Sequence, residues 1–316
     1  MWMYVVKRVM AFIPTVFIVV TVIFFLTRVV PGDPAWVLVG HQLATEEKVA
    51  EVRRELGLDK PILTQYLIWL PRAIQGDFGS SIFFKQPVIQ VISERFPVTL
   101  SLAGLSLLVT IVVGVPLGII SAWKHNTKVD HFSTIFSVLG ISMPSFWLGF
   151  LLVMVFSVNF GWFPTSGYRP LSLGFVPWIS HLVLPVISLS MAEMALLTRM
   201  TRSSMLEVLG KEYIVTARAK GLSEGMVVYK HAFKNALVTV VTVVGLIFAL
   251  SLGGSVLIEN VFAIPGLGRL MVSAAIRRDY PIVEGGMIYF TGIALFVNLL
   301  VDISYTLINP KLTYEK

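Results

Sequence analysis

Residues 97–122 read PVTLSLAGLSLLVTIVVGVPLGIISA, 26 positions without one Asp, Glu, Lys or Arg. Because about 20 apolar residues at helical rise cross the hydrocarbon core of a bilayer, this stretch alone predicts a membrane-spanning helix. Working outward, five more runs share its character: 9–27, 133–158, 181–198, 237–258 and 286–308. The third and fifth spans are also free of charge, whereas 181–198 is the shortest, opens at His181 and carries Glu193. Composition agrees: 14% of the 316 residues are charged, 56% are hydrophobic and mean hydropathy is +0.81. Soluble domains run at about 25% charged and 45–50% apolar. The six spans hold 2 of the 43 charged side chains. The rest make up roughly 23% of the positions between the spans, close to soluble density. A soluble globule is disfavoured, and a disordered chain, which needs low hydrophobicity, is excluded.

The first run follows Lys7 and Arg8 as a signal peptide would. It exceeds an h-region of 7–15 residues and no small-x-small cleavage site follows, so it reads as an uncleaved first helix. Orientation comes from Lys and Arg in the short connections. With the N-terminus inside, segments 1–8, 123–132, 199–236 and 309–316 hold 13 Lys/Arg, about one in five positions. Segments 159–180 and 259–285 then lie outside with 4, about one in twelve. Segment 28–96 exceeds the roughly 60 residues over which the bias counts. Both termini are expected in the cytoplasm. The net charge of +7 and pI near 9.6 follow from this bias, and no basic run dense enough for nucleic acid occurs. Zero cysteines exclude disulfides and Cys-ligated metals.

Segment 28–96 is expected to form an external domain. Thr45-Glu46-Glu47-Lys48 opens a helix with Val49, Val52 and Leu56 on one face, Gly57 closes it, and Pro61 starts the next segment. Gly76-Asp77-Phe78-Gly79-Ser80 predicts a turn. The inner connection 199–236 is the most informative stretch. Ser204-Met205-Leu206-Glu207 has capping-box spacing, which predicts a helix start. Leu206, Leu209, Tyr213 and Ala217 then form an apolar stripe, and Glu207 and Lys211 an i,i+4 pair. Gly221 stops the helix, Ser223-Glu224-Gly225 turns, and a second amphipathic stretch runs to Asn235. Such a hairpin is a solvated loop, a segment lying on anionic lipid, or a docking element for a soluble partner.

Glu212-Tyr213-Ile214-Val215-Thr216-Ala217-Arg218-Ala219-Lys220-Gly221-Leu222 resembles the cytoplasmic EAA loop of ABC importer permeases in its peptide-transporter form. The resemblance runs nearly end to end. Pro31-Gly32-Asp33-Pro34, Leu56-Gly57-Leu58-Asp59-Lys60-Pro61, Gly76-Asp77-Phe78-Gly79, Ser142-Met143-Pro144-Ser145-Phe146-Trp147, Phe262-Ala263-Ile264-Pro265-Gly266-Leu267-Gly268-Arg269 and Arg278-Asp279-Tyr280-Pro281 are similar to words of the first permease subunit of dipeptide and oligopeptide importers.

The resemblance implies an all-α polytopic membrane protein of six transmembrane helices, with the type I ABC importer (MetI-like) fold. Its parts would be the first helix at 1–27, the external domain at 28–96, the transmembrane domain at 97–308 with its hairpin at 203–236, and a cytoplasmic tail at 309–316. It would sit in the bacterial inner membrane, and the lipid bilayer, a second homologous permease as heterodimer, two ATPase subunits and an external solute-binding protein would be its partners. Di- or oligopeptides would be the substrate, with glutathione or nickel complexes as alternatives. ATP and Mg would bind the partner subunits, leaving this chain without cofactor, metal or catalytic residue. Glu212, Tyr213, Thr216, Ala217, Arg218, Ala219, Lys220, Gly221 and Leu222 would couple to the ATPase. Two departures stand out: Val215 occupies the position of the general pattern's acid, and Asn235-Ala236-Leu237-Val238-Thr239 lacks a proline frequent in relatives.

Carboxylates in lipid cost a few kcal/mol and usually face the protein interior. Glu193 and Asp302 therefore each either line the translocation pathway or make a structural hydrogen bond to a neighbouring helix; for Asp302, near the inner end, the structural reading is favoured, Asn298 being a candidate partner. Met143-Pro144-Ser145 predicts a kink, because proline removes a backbone bond; it either belongs to the gate, with Pro144 and Ser145 on the pathway, or shapes the bundle. Gly114 and Gly118 have GxxxG spacing and are expected to pack within the bundle. Pro265, Gly266, Gly268, Arg269 and Asp279 would belong to the face that meets the binding protein, on a loop with unusual backbone angles. Trp162 and Trp178 fit interfacial anchoring.

Gly210-Lys211-Glu212 is no Walker A sequence, HExxH is absent, and the five histidines show no metal spacing. Ser121-Ala122-Trp123-Lys124 matches SxxK without its companion motifs. A secondary transporter would show repeated halves, which are not seen, and a membrane peptidase would need a nucleophile or metal set.

Overall fold

The computed structural model describes residues 2–29, 34–39, 45–55 and 57–308. The Pro31-Gly32-Asp33 segment, Leu56 and the 309–316 tail lie outside the described residues. Those described form helices and no strands, with one isolated bridge between Ser80 and Pro87. In order these are α1 (Trp2–Val29), α2 (Pro34–Val39), α3 (Glu46–Glu55), α4 (Ile62–Ile74), α5 (Val88–Trp123), α6 (Lys128–Ser142) and α7 (Ser145–Leu152). They continue with α8 (Phe175–Leu209), α9 (Glu212–Ala219), α10 (Glu224–Met226), α11 (Lys234–Val261), α12 (Leu267–Arg277) and α13 (Tyr280–Ile308). Among the described residues five helices are long and apolar enough to cross a membrane, or up to six if α6 and the segment Ser145–Asn159 make one span. Contacts cluster into two units: one of Met1–Met10, Thr99–Ile264 and Phe296–Lys316, the other of Ala11–Val98 and Pro265–Leu295.

In the first unit α8 is the mast. A Cβ on Gly118 of α5 would lie 2.6 Å from Thr201 Cβ and 2.7 Å from Thr198 O, and one on Gly140 of α6 would lie 2.7 Å from Ala195 Cβ. Thr198 Oγ1 donates to Gly114 O at 3.2 Å. The GxxxG pair thus packs α5 on α8 inside the bundle, as expected; side-chain-free faces let backbones approach.

The third span departs from a simple kink. α6 and the segment Ser145–Asn159 meet at 99°. Met143 is extended (φ −91°, ψ 118°) and Pro144 caps α7 (φ −60°, ψ 131°), its carbonyl accepting Leu148 N at 3.1 Å. Proline lacks the N–H that would continue α6 and drives the preceding residue out of the helical region, so the helix ends and restarts instead of bending. The fourth helix also exceeds its apolar window, beginning at Phe175 and ending at Leu209. α11 and α13 likewise extend past theirs, which places Glu259 and Glu284 inside helices.

In the second unit α3 ends as expected. Gly57 has φ +67°, and N–H groups of Gly57 and Leu58 donate to Arg54 O and Arg53 O at 3.0 and 2.9 Å, the paired bonds of a left-handed helix stop. The 76–80 turn is present, with Gly79 N donating to Asp77 Oδ1 at 2.9 Å. Val88, Val91, Ile92, Leu267, Leu270, Ala274 and Ile282 form this unit's core. Thr27 Oγ1 donates to Glu284 Oε1 at 2.9 Å, and Arg28 pairs with the same carboxylate.

Candidate functional site

α8 stops at Leu209, where Gly210 is still helical and Lys211 turns extended (φ −80°, ψ 146°) as the N-cap of α9. The helix start expected at Ser204 is therefore corrected: Ser204 sits inside α8. Its neighbouring N–H groups are engaged within a continuing helix, so the capping-box spacing has no free donors to satisfy. The expected stop at Gly221 is present. Gly221 has φ +76°, Gly221 N donates to Arg218 O at 2.9 Å and Leu222 N to Ala217 O at 3.4 Å. Ser223 is extended and caps α10, and a wide π turn (Val227–Phe233) passes into α11 without a break at 235–239.

Ile214 and Ala217 of α9 insert into a core with Ile119, Ala122, Met205, Val208, Val227, Val228, Ala232 and Ala236. The expected stripe member Tyr213 points outward instead and Ile214 takes its place. Moving the helix start from Ser204 to Lys211 restarts the helical phase. The outward face of the hairpin carries Glu212, Tyr213, Val215, Thr216, Arg218, Ala219, Lys220 and Gly221, with Leu222 half-buried. Tyr213, Val215, Met226 and Tyr229 make its exposed apolar part. Desolvation lifts the Tyr213 phenol above its usual range, Lys211 opposing. Arg218 Nε donates to Glu224 Oε1 at 2.8 Å and ties the two arms. The Glu207–Lys211 pair forms at 3.1 Å between exposed side chains.

A buried hub beneath the hairpin escaped the sequence reading. Asp130 accepts from Ser121 Oγ (2.6 Å), Asn126 N (2.9 Å) and both Nε and Nη2 of Arg202 (2.5 and 2.8 Å), and His125 Nδ1 stands 3.0 Å away. It joins the end of α5, the start of α6 and the last turns of α8. The only linear signal is His125 five residues from Asp130; Arg202 is distant in sequence.

Glu193 is buried, accepting from Ser251 Oγ at 2.5 Å and Thr110 Oγ1 at 3.3 Å. It bonds α8 to α11 and α5. Pro144 is exposed and Ser145 half-buried at the 99° break, and Asp302 is half-buried on α13. Glu259, wholly buried, accepts from Thr99 Oγ1 at 2.6 Å; the apolar window ended one residue short of it.

The Pro265–Arg269 segment is not a strained loop. Gly266 is extended (φ −90°, ψ −177°), α12 begins at Leu267, and the positive φ falls at Ala263. Gly266 and Gly268 are buried, Pro265 half-buried and Arg269 exposed. Asp279 faces inward, accepting from Ser81 Oγ (2.5 Å), Phe83 N (3.1 Å) and Ile82 N (3.2 Å). Trp162 is exposed beside Phe160, with ring centroids 5.0 Å apart, while Trp178 is half-buried.

Residues 114–314 match the family profile of the binding-protein-dependent transport system inner membrane component, and residues 1–103 match that of its N-terminal region. A putative peptide transport system permease protein of Brucella abortus is 46% identical over 309 residues, 98% of each chain. A probable peptide ABC transporter permease protein of Sinorhizobium fredii is 42% identical over 99% of this chain and 100% of its own. The glutathione transport system permease protein GsiC of Escherichia coli is 42% identical over 99% of both. Among solved structures, an inward-facing MetNI methionine ABC transporter aligns with TM-score 0.59 at 17% identity, covering 70% of this chain and 97% of that one. That likeness shows a shared fold.

Proposed function

The chain belongs to the binding-protein-dependent transport system inner membrane component family, and from that premise we propose that it is half of the pathway of an ATP-driven importer of short peptides. The observation that carries the reading is the hairpin 212–222. It is pinned from below by Ile214 and Ala217 and presents Tyr213, Val215, Met226 and Tyr229 to whatever covers it. An exposed apolar patch rimmed by charge marks an interaction surface, and a hairpin rigid at its base transmits displacement where a loose loop would absorb it.

In this reading two ATPase subunits hold ATP and Mg and dock at the hairpin on the cytoplasmic side. A second homologous permease completes the pore, and a solute-binding protein delivers peptide outside. Closure of the ATPases pushes α9, and the push passes into α8 and α11, which turn as rigid bodies. Val215 gives the docking face an apolar contact where an acid stands in the general pattern. The Glu193 carboxylate and the Pro144–Ser145 break lie within the bundle that would move, and Arg269 is the exposed cation of the outer motif. Both termini lie inside.

The test is uptake of labelled di- and tripeptides into vesicles holding the assembled transporter. Uptake should need ATP and vanish without the ATPase subunits; uptake that persists without them, or collapses with an ionophore alone, would overturn the reading. Glutathione is the second substrate to assay, favoured by the GsiC relative, and competition between it and ordinary tripeptides ranks the two.

A further inference from the structure

Helix α4 has three faces with different surroundings. Tyr66 and Trp69 turn toward α1: Tyr66 Oη lies 2.7 Å from Thr21 Oγ1, and Phe24 has ring centroids 5.3 Å from Tyr66 and 5.0 Å from Trp69. Gln65, Ile68 and Arg72 line a cleft of about 510 Å³. On the third face Leu63, Leu67 and Ile74 are 63, 61 and 74% exposed, an apolar stripe at i, i+4, i+11.

Depth follows from the contact with α1. The apolar part of α1, Val9–Val29, is 21 residues long, about 31 Å at helical rise, which matches a hydrocarbon core of about 30 Å. Thr21 and Phe24 then lie roughly 12 and 7 Å inside its C-terminal edge. α4 is held at that depth, along a helix on which Phe17, Ile18, Val22 and Leu26 are also exposed. In water such a stripe would be a liability; at this depth it faces acyl chains.

The cleft beside it has the opposite chemistry. Arg54, Lys60 and Arg72 line it without an ion-pair partner among the described residues. Its two carboxylates are engaged, Asp77 with Gly79 N and Glu284 with Thr27 and Arg28. Arg28 Nε and Trp69 Nε1, both on lining residues, are buried and unbonded. Donors and positive charge exceed acceptors, which suits a phosphate.

We propose that α4 is embedded in the leaflet at which α1 ends and that the cleft holds the phosphate of an anionic phospholipid whose acyl chains lie along the Leu63–Leu67–Ile74 stripe. The occupant of the surface is lipid, because the contact with α1 sets the stripe at hydrocarbon depth and the cleft is complementary to a phosphate.

The absence of cysteine allows a direct test in the full chain, assembled with its co-purifying subunits in phosphatidylglycerol-containing bilayers. A nitroxide on Leu67→Cys should be reached by oxygen and lose nearly all access to a water-soluble nickel relaxant, like a label on Phe17→Cys and unlike one on Glu51→Cys. Access to nickel would overturn the embedding, and shielding from both relaxants would assign the stripe to a protein partner instead. For the cleft, phosphatidylglycerol retained by the detergent-purified chain is measured by native mass spectrometry. Arg54→Gln/Arg72→Gln should lower retention about tenfold, since both cations are exposed and each screened contact contributes less than a full charge-assisted bond, and inorganic phosphate should not displace the lipid. Equal retention in the variant, or displacement by phosphate alone, would overturn the headgroup site.

Discussion

Gly118 has no room for a methyl group. With Thr201 Cβ 2.6 Å and Thr198 O 2.7 Å from where a Cβ would stand, Gly118→Ala forces α5 off α8. Overpacking of this kind costs about 1–3 kcal/mol. Gly104 on the same helix has nothing within 4 Å, so Gly104→Ala should be neutral or stabilise by up to about 1 kcal/mol through helix propensity. Denaturation of the two variants in one detergent, read by loss of helix, checks the contrast; equal midpoints would refute the close approach. Asp130 is sensitive for another reason. Its carboxylate is buried and holds the Arg202 guanidinium through two bonds, and removing one partner of such a pair leaves the other uncompensated, at about 3–5 kcal/mol for a fully buried pair. Arg202 is partly exposed, which lowers the figure to roughly 2–4 kcal/mol for Asp130→Asn. Asp130→Asn/Arg202→Gln should recover part of the loss, and a double-mutant cycle without coupling would show that the pair does not act as a unit.

At the scale of elements, the 212–222 hairpin is closed by a left-handed turn at Gly221 and by the Arg218–Glu224 pair. Both partners are exposed, so the pair adds little to stability; its use is to fix the angle between α9 and the arm that leads into α11. Arg218→Glu places two acids together and should cut peptide uptake per ATP hydrolysed by up to about fivefold while the protein still inserts, since the repulsion between two exposed side chains, up to about 1 kcal/mol, is confined to the turn. Arg218→Glu/Glu224→Arg restores the pair and should restore coupling. Reconstituted transporters assayed for both uptake and hydrolysis read this directly, and a reversal that leaves the ratio unchanged removes the hairpin from the coupling path. Gly221 is legible in the sequence because a left-handed helix stop of this kind, here at positive φ, selects a residue without a Cβ. The start at Lys211 is not, since Lys211-Glu212-Tyr213-Ile214 carries no capping signature whereas Ser204 does, and only the continuation of α8 through Ser204 rules the latter out. The Asp130 hub and the contact of Gly140 with Ala195 join residues far apart in sequence, and hydropathy windows carry no signal for either. The same windows end where apolar residues end, which is why they leave Glu259 and Glu284 outside helices that in fact continue through them.

At the scale of the whole molecule, the 99° break between α6 and the segment Ser145–Asn159 leaves two topologies, because a pair so bent either crosses the bilayer as two half-spans or returns to the side it entered. Counting cations decides between them. If the pair crosses and the N-terminus is inside, the short inner segments hold 13 Lys/Arg, about one in five positions, and the short outer ones 4, about one in twelve. If the pair returns, the hairpin segment 199–236 with its seven cations moves outside. The inner segments then hold 8 Lys/Arg, about one in eight positions, and the outer ones 9, about one in five, an inversion of the positive-inside bias. Turning that five-crossing chain over brings the hairpin back inside but puts Lys7 and Arg8 outside, immediately before the helix that usually dominates orientation. The broken pair is therefore expected to cross, with both termini on the side of the hairpin. Val215→Cys on the hairpin and Thr165→Cys on the connection after the broken pair are both at exposed positions, and each would be the sole cysteine of its chain. A membrane-impermeant maleimide should label Thr165→Cys in right-side-out vesicles and Val215→Cys only in inverted ones. The five-crossing arrangement with the N-terminus inside would exchange the two results. Its inverted form leaves these two labels as the six-crossing chain has them and differs at the N-terminus, where Trp2→Cys should react only in inverted vesicles if the broken pair crosses.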